Sequence, residues 1–397
     1  MINLSDRINN LSESETLAMS RMSRELKAQG HDVINLSVGE PDCFTPDTVK
    51  KAAHQAIDDN YSFYTPVNGY QDLREAICNK LKRDNDLEYT PDQIVVGTGA
   101  KQCIANAMLC MVNPGDEVIV PAPYWVSYRE ITKMAEGKAV YIEAGIDNDF
   151  KITPEQLEEA ITERTKMFIF SSPCNPTGSE YSKSELEALA AVFERHPQVF
   201  IISDEIYEHI NFDGNHASIA SFAAIKDRVI LVNGVSKGFA MTGWRVGYLA
   251  AHPAIAKACN KYQGQVTSGT CSIAQRAALE AINADPETTK EMLEKFRERR
   301  DLVINLLEEV PGINCNTPEG AFYLFINVKS YFGKSDEDQM IHNDNDLCMY
   351  LLQKAHIALV PGSAFGDGEC VRFSYATSNE LLTEAVDRMK TALARLQ

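Results

Sequence analysis

The chain has 397 residues, with 38 Lys+Arg against 56 Asp+Glu and a formal charge of −18. Hydrophobic residues make up 44% and charged residues 24%, the balance of a soluble globular protein with two or three domains and ample material for a core. So acidic a chain carries no electrostatic footprint for nucleic acid or for an anionic membrane surface, although small anionic ligands answer to a local site instead.

The start, Met1 to Arg7, lacks the apolar stretch of a secretion signal, and no apolar run approaches a membrane span. The expected location is the cytoplasm, which also suits ten scattered cysteines without a C-x-x-C pair, read as mostly buried free thiols. Residues 15–29 form a helical pattern through Leu17, Met22 and Leu26, stopped by Gly30. From about residue 90 to 250 seven short apolar runs alternate with amphipathic stretches: Ile94–Gly97, Val118–Val120, Val140–Ile142, Met167–Phe170, Val199–Ile202, Val229–Val232 and Val246–Leu249. Their continuous β-branched and aromatic character predicts strands buried on both faces of a largely parallel sheet. One intervening helix shows Leu186, Leu189, Ala190 and Phe193 at helical spacing behind a Ser182-x-x-Glu185 capping box. The middle of the chain is therefore an α/β sandwich. Beyond about residue 295 come a charged helix, a strand over 320–326, an alternating strand over 371–375 and a last helix through Leu382, Val386, Met389, Leu393 and Leu396. The expected division is a large α/β domain over 46–294 and a smaller α+β domain built from 1–45 and 295–397.

Ligands of open α/β sheets bind beyond the carboxyl ends of the strands. Here those ends run into Thr98-Gly-Ala-Lys-Gln102, Pro121-Ala-Pro-Tyr-Trp125, Ser171-Ser-Pro-Cys-Asn175, Ser203-Asp-Glu-Ile-Tyr207 and Asn233-Gly-Val-Ser-Lys237. An aromatic ring, an amide, a carboxylate with a phenol three residues on, and an amine all reach one edge. Any one of these is an ordinary loop residue; together they predict a site. A lysine at a buried strand end has a lowered pKa and can form a Schiff base. Pyridoxal phosphate needs such a lysine, a carboxylate for its ring nitrogen and a phosphate cradle. Asp204 suits the second need, and the Gly99–Lys101 amides with Ser236 and Arg245 suit the third.

Competing motifs fall short. Gly97-Thr-Gly-Ala-Lys101 matches neither the P-loop nor the dinucleotide fingerprint, since Ala100 precedes the lysine and position 102 is Gln. Gly362, Gly366 and Gly368 read as turn punctuation. Cys43 with His54, and Cys348 with His356, lack a second ligand pair at metal spacing, so no metal site is expected.

The segment Gly234-Val-Ser-Lys-Gly-Phe-Ala-Met-Thr-Gly-Trp-Arg-Val-Gly247 closely resembles the Schiff-base segment of the class I aminotransferases, fold-type I pyridoxal phosphate enzymes. Ser37–Asp42, Tyr64-Thr-Pro-x-x-Gly69, Pro123–Trp125, Asn175–Gly178, Ser203–Tyr207 and Val371–Ser374 are similar to that family's other landmarks, in its order and over nearly the whole chain. The resemblance implies a mostly parallel seven-stranded sheet and a homodimer with shared active sites. It implies Lys237 as the Schiff-base lysine and proton carrier, and Asp204 as the partner of the pyridinium nitrogen. Asn175 and Tyr207 would bond the phenolic oxygen, and Trp125 would stack on the ring. Gly99, Ala100, Lys101, Ser236 and Arg245 would hold the phosphate, with Tyr64 arriving from the other subunit. Arg372 would fork onto the substrate α-carboxylate, assisted by Asn175 and Gly39, a bidentate task for which lysine is poorly shaped. Alternation along Val371-Arg-Phe-Ser-Tyr375 already separates Arg372 from its apolar neighbours. Two departures stand out: Cys174 replaces a common asparagine, and Gly234 stands where many members carry a phosphate-binding serine.

For the substrate, Lys101 and Thr16 match the branch that resembles bacterial aspartate aminotransferases, with Lys101 taking the distal carboxylate. A merely solvent-facing lysine at a helix start would be disfavoured by the helix dipole. The expected reaction moves the amino group of L-aspartate to 2-oxoglutarate. Prephenate and aromatic amino acids are the alternative substrates. A cofactor-binding regulator would need a DNA-binding domain for which no basic helix exists, and a scaffold would have no need of Lys237 and Asp204.

Overall fold

The computed structural model describes residues 2–337 and 339–397. All seven predicted runs are strands: β1 (Ile94–Gly97), β2 (Glu117–Ala122), β3 (Lys138–Glu143), β4 (Thr165–Ser171), β5 (Phe200–Asp204), β6 (Val229–Gly234) and β7 (Gly247–Ala250). They form one sheet in the order β1-β7-β6-β5-β4-β2-β3. The pairings from β6 to β3 are parallel, and β7 runs antiparallel to both neighbours. Apolar clusters cover both faces, one through Leu186, Phe193, Leu231 and Ala278, the other through Ile104, Val120, Ile202 and Ile255.

Two-faced burial fails at β3. That strand has a neighbour on one side only, and Tyr141 is 43% exposed while stacking on Tyr124 at 5.2 Å. The helix Lys183–Arg195 carries the predicted capping box, with Ser182 Oγ accepting from the Glu185 N–H and Glu185 accepting from the Ser182 N–H. The first long helix, Glu15–Ala28, stops before Gly30, whose φ is +94°. Its buried side is Met19 and Ser23, and Leu17 is 65% exposed, contrary to expectation. At 100° per residue Leu17 lies about 200° from Met19, so both cannot face the core.

A second, three-stranded antiparallel sheet joins Val360–Pro361, Cys370–Ser374 and Tyr323–Asn327. Ile34–Asn35 runs parallel to Ile357–Ala358, and the Leu36 carbonyl accepts from the Ser374 N–H at 3.0 Å. This pairing lays the chain at Ser37–Gly39 beside the strand that carries Arg372. One apolar cluster gathers Met19, Val33 and Leu36 with Phe296, Phe322, Val371, Phe373, Tyr375 and Leu393.

Candidate active site

Asp204 is the last residue of β5, and its buried carboxylate accepts from Tyr128 Oη at 2.8 Å through Oδ2 and from the Ile206 N–H at 3.3 Å through Oδ1. Burial pushes its pKa up to about 6 against the lowering effect of the Tyr128 bond. Lys237 lies in the turn after β6, its Nζ 5.7 Å from the ring centres of both Tyr207 and Phe322 and donating to the Gly39 carbonyl at 2.5 Å. Burial pushes this amine down to about 8, so a far larger fraction of it is neutral and nucleophilic near neutral pH than of an ordinary lysine. Tyr207 Oη and Tyr323 Oη share a hydrogen bond of 2.8 Å. A Cβ on Gly39 would sit 2.7 Å from Tyr323 Oη, so any larger residue there would push that phenol out of place.

Arg372 is 2% exposed, not a solvated strand arginine. Its Nη1 donates to Asn175 Oδ1 at 2.9 Å and its Nη2 to the Ser37 carbonyl at 2.6 Å, while its Nε has no partner. Tyr323 and Phe365 flank the guanidinium at 4.6 and 4.9 Å from their ring centres. A buried cation with only neutral acceptors is costly unless an anion joins it. Val371, Phe373 and Tyr375 pack in the apolar cluster, as the alternation predicts.

At the other end, Gly99 at φ +83° starts the helix Ala100–Met111. Helix geometry leaves the Ala100 and Lys101 N–H groups without an intrahelical acceptor, which favours an anion there. Arg245, itself at φ +58°, closes on this turn: its Nη1 donates to the Thr242 carbonyl at 2.9 Å and its Nη2 to the Thr98 carbonyl at 3.4 Å. A Cβ on Gly99 would collide with that guanidinium. Buried Ser236 precedes Lys237 in the same turn. Lys101 is an exposed residue, yet its Nζ lies 4.9 Å above the Trp125 ring, and partial burial together with Arg245 pushes its pKa down. A concavity of about 670 Å³ opens beside Arg245, lined also by Thr98, Trp244 and Thr270. The Gly234 departure has a steric reason: a Cβ there would lie 2.8 Å from Gly247 Cα, its partner across the β6–β7 ladder. No serine fits that slot in this chain.

Asp204, Lys237, Tyr207, Asn175, Arg372 and Gly39 thus share one cluster, and Gly99, Ala100, Lys101, Trp125 and Arg245 another at the same sheet edge. Tyr64 stands apart at 98% exposure. Thr16 sits in the first turn of its helix and makes no side-chain hydrogen bond to either cluster among the described residues. Sequence reasoning missed Tyr128 and Tyr323. Tyr128 was within reach, since it stands three residues after Trp125 and so one helical turn on; Tyr323 lies in an apolar strand and gave no polar signal.

Behind Asp204, the trio Glu205, Glu208 and His216 brings ligand atoms within 4.8 Å of one another. These groups are already paired: His216 bridges Glu180 at 2.7 Å and Glu205 at 3.2 Å, and Glu208 pairs with Lys80. The trio is a closed ion network.

In an acidic chain, then, Arg372, Arg245 and Lys237 spend their donors on neutral acceptors, and neither they nor Lys101 form an ion pair among the described residues. One buried carboxylate faces them from a strand end. This is the donor set for an anionic carbonyl cofactor and an anionic substrate, and its residues fit pyridoxal phosphate: amine, ring-nitrogen carboxylate and phosphate cradle are each present. The family model for aminotransferase class I and II matches residues 31–389. The aspartate/prephenate aminotransferase of Cereibacter sphaeroides is 47% identical over 396 residues, covering 99% of each chain. A bifunctional aspartate aminotransferase and glutamate/aspartate-prephenate aminotransferase of Petunia hybrida is 47% identical over 401 residues, 100% of this chain and 84% of that one. Among solved structures, the aspartate aminotransferase of Rhizobium meliloti superposes with a TM-score of 0.97 at 43% identity over the full length of both chains. That of Thermus thermophilus with maleate reaches 0.92 at 38% identity, covering 99% of this chain and 100% of that one. The chain belongs to the class I and II aminotransferases. It has the fold-type I architecture, and its cofactor is pyridoxal 5'-phosphate.

Proposed function

We propose that this chain transfers the amino group of L-aspartate to 2-oxoglutarate, giving oxaloacetate and L-glutamate in two half-reactions at one site. The observation that carries the reading is the pair of cations at separate places: Arg372, buried without a counter-ion, and Lys101, poised over Trp125. Two carboxylates on one substrate answer to two such cations, and the relatives named above act on aspartate or prephenate by their names.

When bound, the cofactor supplies an electron sink for the bond broken at the substrate Cα. Lys237 would hold the cofactor through Nζ, and the same atom would carry the proton of the substrate Cα. Asp204 holds the proton on the ring nitrogen. Asn175 donates from Nδ2, since its Oδ1 is engaged by Arg372. Tyr207 would donate to the cofactor's phenolic oxygen, and Trp125 would cover its ring. Gly99, Ala100, Ser236 and Arg245 hold the phosphate. Arg372 orients the α-carboxylate with the Gly39 backbone, and Lys101 takes the distal one, with Thr16 closing nearby. Residues 46–294 act as the cofactor domain and 1–45 with 295–397 as the substrate-closing domain.

The chain works as a cytoplasmic homodimer in which Tyr64 crosses to the other subunit's phosphate. Support comes from the exposed aromatic rings of Phe44, Phe63 and Tyr64, apolar surface that a soluble monomer rarely displays in such density. The test of substrate is a rapid-mixing half-reaction that follows cofactor absorbance with aspartate, alanine or tyrosine separately. Fast conversion with aspartate alone supports the reading; preference for tyrosine overturns it in favour of an aromatic aminotransferase. Prephenate is the second reading, since it also carries two carboxylates, and is tested by running the reverse half-reaction with prephenate as acceptor.

A further inference from the structure

We infer that Tyr128 is a positioning residue that fixes the Asp204 carboxylate for the cofactor's ring nitrogen, an inference that rests on the role given to Asp204 above. Tyr128 is the second residue of the helix Ser127–Met134, which begins a few residues after β2, whereas Asp204 ends β5. In the sheet β4 lies between those two strands, so the tyrosine reaches past the end of β4 to find its acceptor.

Both ends of the contact are held. The Tyr128 N–H donates to the Trp125 carbonyl at 2.9 Å, and its own carbonyl accepts from Thr132 Oγ1 at 2.8 Å. Its ring stands edge-on to Trp125 at 5.5 Å. At the tip, Oη donates to Asp204 Oδ2 at 2.8 Å while Oδ1 takes the Ile206 N–H. One donor on each oxygen sets the carboxylate torsion and leaves each oxygen a further acceptor direction.

The chemical type of the clamp matters. Glu208, a buried carboxylate nearby, is neutralised by Lys80, whereas Asp204 has no ion-pair partner among the described residues. A phenol orients the carboxylate and helps keep it ionised without cancelling the charge that a pyridinium nitrogen requires. Burial holds the phenol well above its ordinary range, so it remains a donor throughout the working pH range. A lysine or arginine in its place would compete with the cofactor for the same charge.

The test compares apoprotein of the wild type with Tyr128→Phe, which keeps the ring packing and removes only the hydroxyl. Each is titrated by equilibrium dialysis with pyridoxal phosphate and with its 1-deaza analogue, in which carbon replaces the ring nitrogen. The ratio of the two dissociation constants isolates the carboxylate–nitrogen interaction, and a general loss of stability cancels in it. Tyr128→Phe is expected to reduce the wild-type preference for pyridoxal phosphate by about tenfold, the effect of one charge-assisted hydrogen bond, with analogue affinity little changed. An unchanged ratio overturns the inference, even if both ligands weaken together. Absence of any preference in the wild type overturns the Asp204 assignment itself, and the inference with it.

Discussion

Arg372 and Asn175 are joined by a 2.9 Å hydrogen bond from Nη1 to Oδ1, which ties the strand Cys370–Ser374 to the loop following β4. The bond orients two functional groups at once: it aims the guanidinium fork and commits the asparagine to donate from its amide nitrogen. Arg372→Lys keeps the charge and loses the fork. It is expected to lower kcat/KM for aspartate by roughly 100-fold or more, from the loss of charge-assisted bonds worth about 1.5–3 kcal/mol each. The loss should appear largely in KM, and for 2-oxoglutarate as well, since both substrates carry the α-carboxylate. Steady-state kinetics with unchanged KM for both would reduce Arg372 to a packing residue.

Lys237 makes the reconstitution of apoprotein depend on pH. With the amine pushed down to about 8, the neutral nucleophilic fraction grows as pH rises through that value. The second-order rate of cofactor capture should climb between pH 7 and 9 and then level off, where an exposed lysine would go on gaining beyond pH 10. Reduction with borohydride followed by peptide mass analysis should place the label on Lys237. A flat profile would contradict the lowered amine.

Lys237→Ala removes the amine proposed above as both anchor and proton carrier. General acid–base transfer by itself contributes about 10²–10⁴, so the single-turnover rate should fall by at least that factor. Added methylamine should restore part of it by supplying a diffusible base. Near-normal turnover in this variant would sink the mechanism.

The sheet was readable because fully buried parallel strands appear as unbroken apolar runs, and the polar residues that end them mark the site. Asp204, Lys237 and the Gly99 turn were legible on this ground alone. Arg372 was less so: alternation separates it from Val371 and Phe373, but only the pairing of Ile34–Asn35 with Ile357–Ala358, which no local pattern encodes, brings Ser37 against it. Tyr128 was missed because its partner lies 76 positions away and a phenol near a tryptophan reads as packing. Leu17 was misplaced because it was grouped with Met22 and Leu26, which do pack beside Met19, although at 100° per residue it lies about 140° and 180° round the helix from them.

The distal-carboxylate role proposed for Lys101 predicts a split between dicarboxylic and monocarboxylic substrates. Its ammonium lies over Trp125 and is partly desolvated, which strengthens attraction for a carboxylate. Lys101→Gln should lower kcat/KM for aspartate by roughly 10–100-fold, the worth of one charged hydrogen bond, and leave alanine within about twofold. Equal losses for both substrates would instead tie the lysine to the phosphate end.

His216 supplies the charge that permits Glu205 to be buried next to Asp204. Its ring nitrogens face Glu180 at 2.7 Å and Glu205 at 3.2 Å, and Glu205 also accepts from Ser203 at 2.8 Å and Ser218 at 2.6 Å. The two carboxylates overcome the effect of burial and push the imidazole up to about 10. A base raised from 6.5 to about 10 on folding contributes stability that is fully present below pH 6.5 and is lost as pH rises through 10. His216→Gln leaves two buried carboxylates without their cation, a change expected to cost about 3–5 kcal/mol at neutral pH. Urea unfolding at pH 6.5, 8 and 9.5 should show the gap between wild type and variant narrowing as pH rises. A gap that stayed constant would mean that the imidazole is neutral in the folded protein. Glu205 would then stand uncompensated beside Asp204, whose pKa its charge already raises.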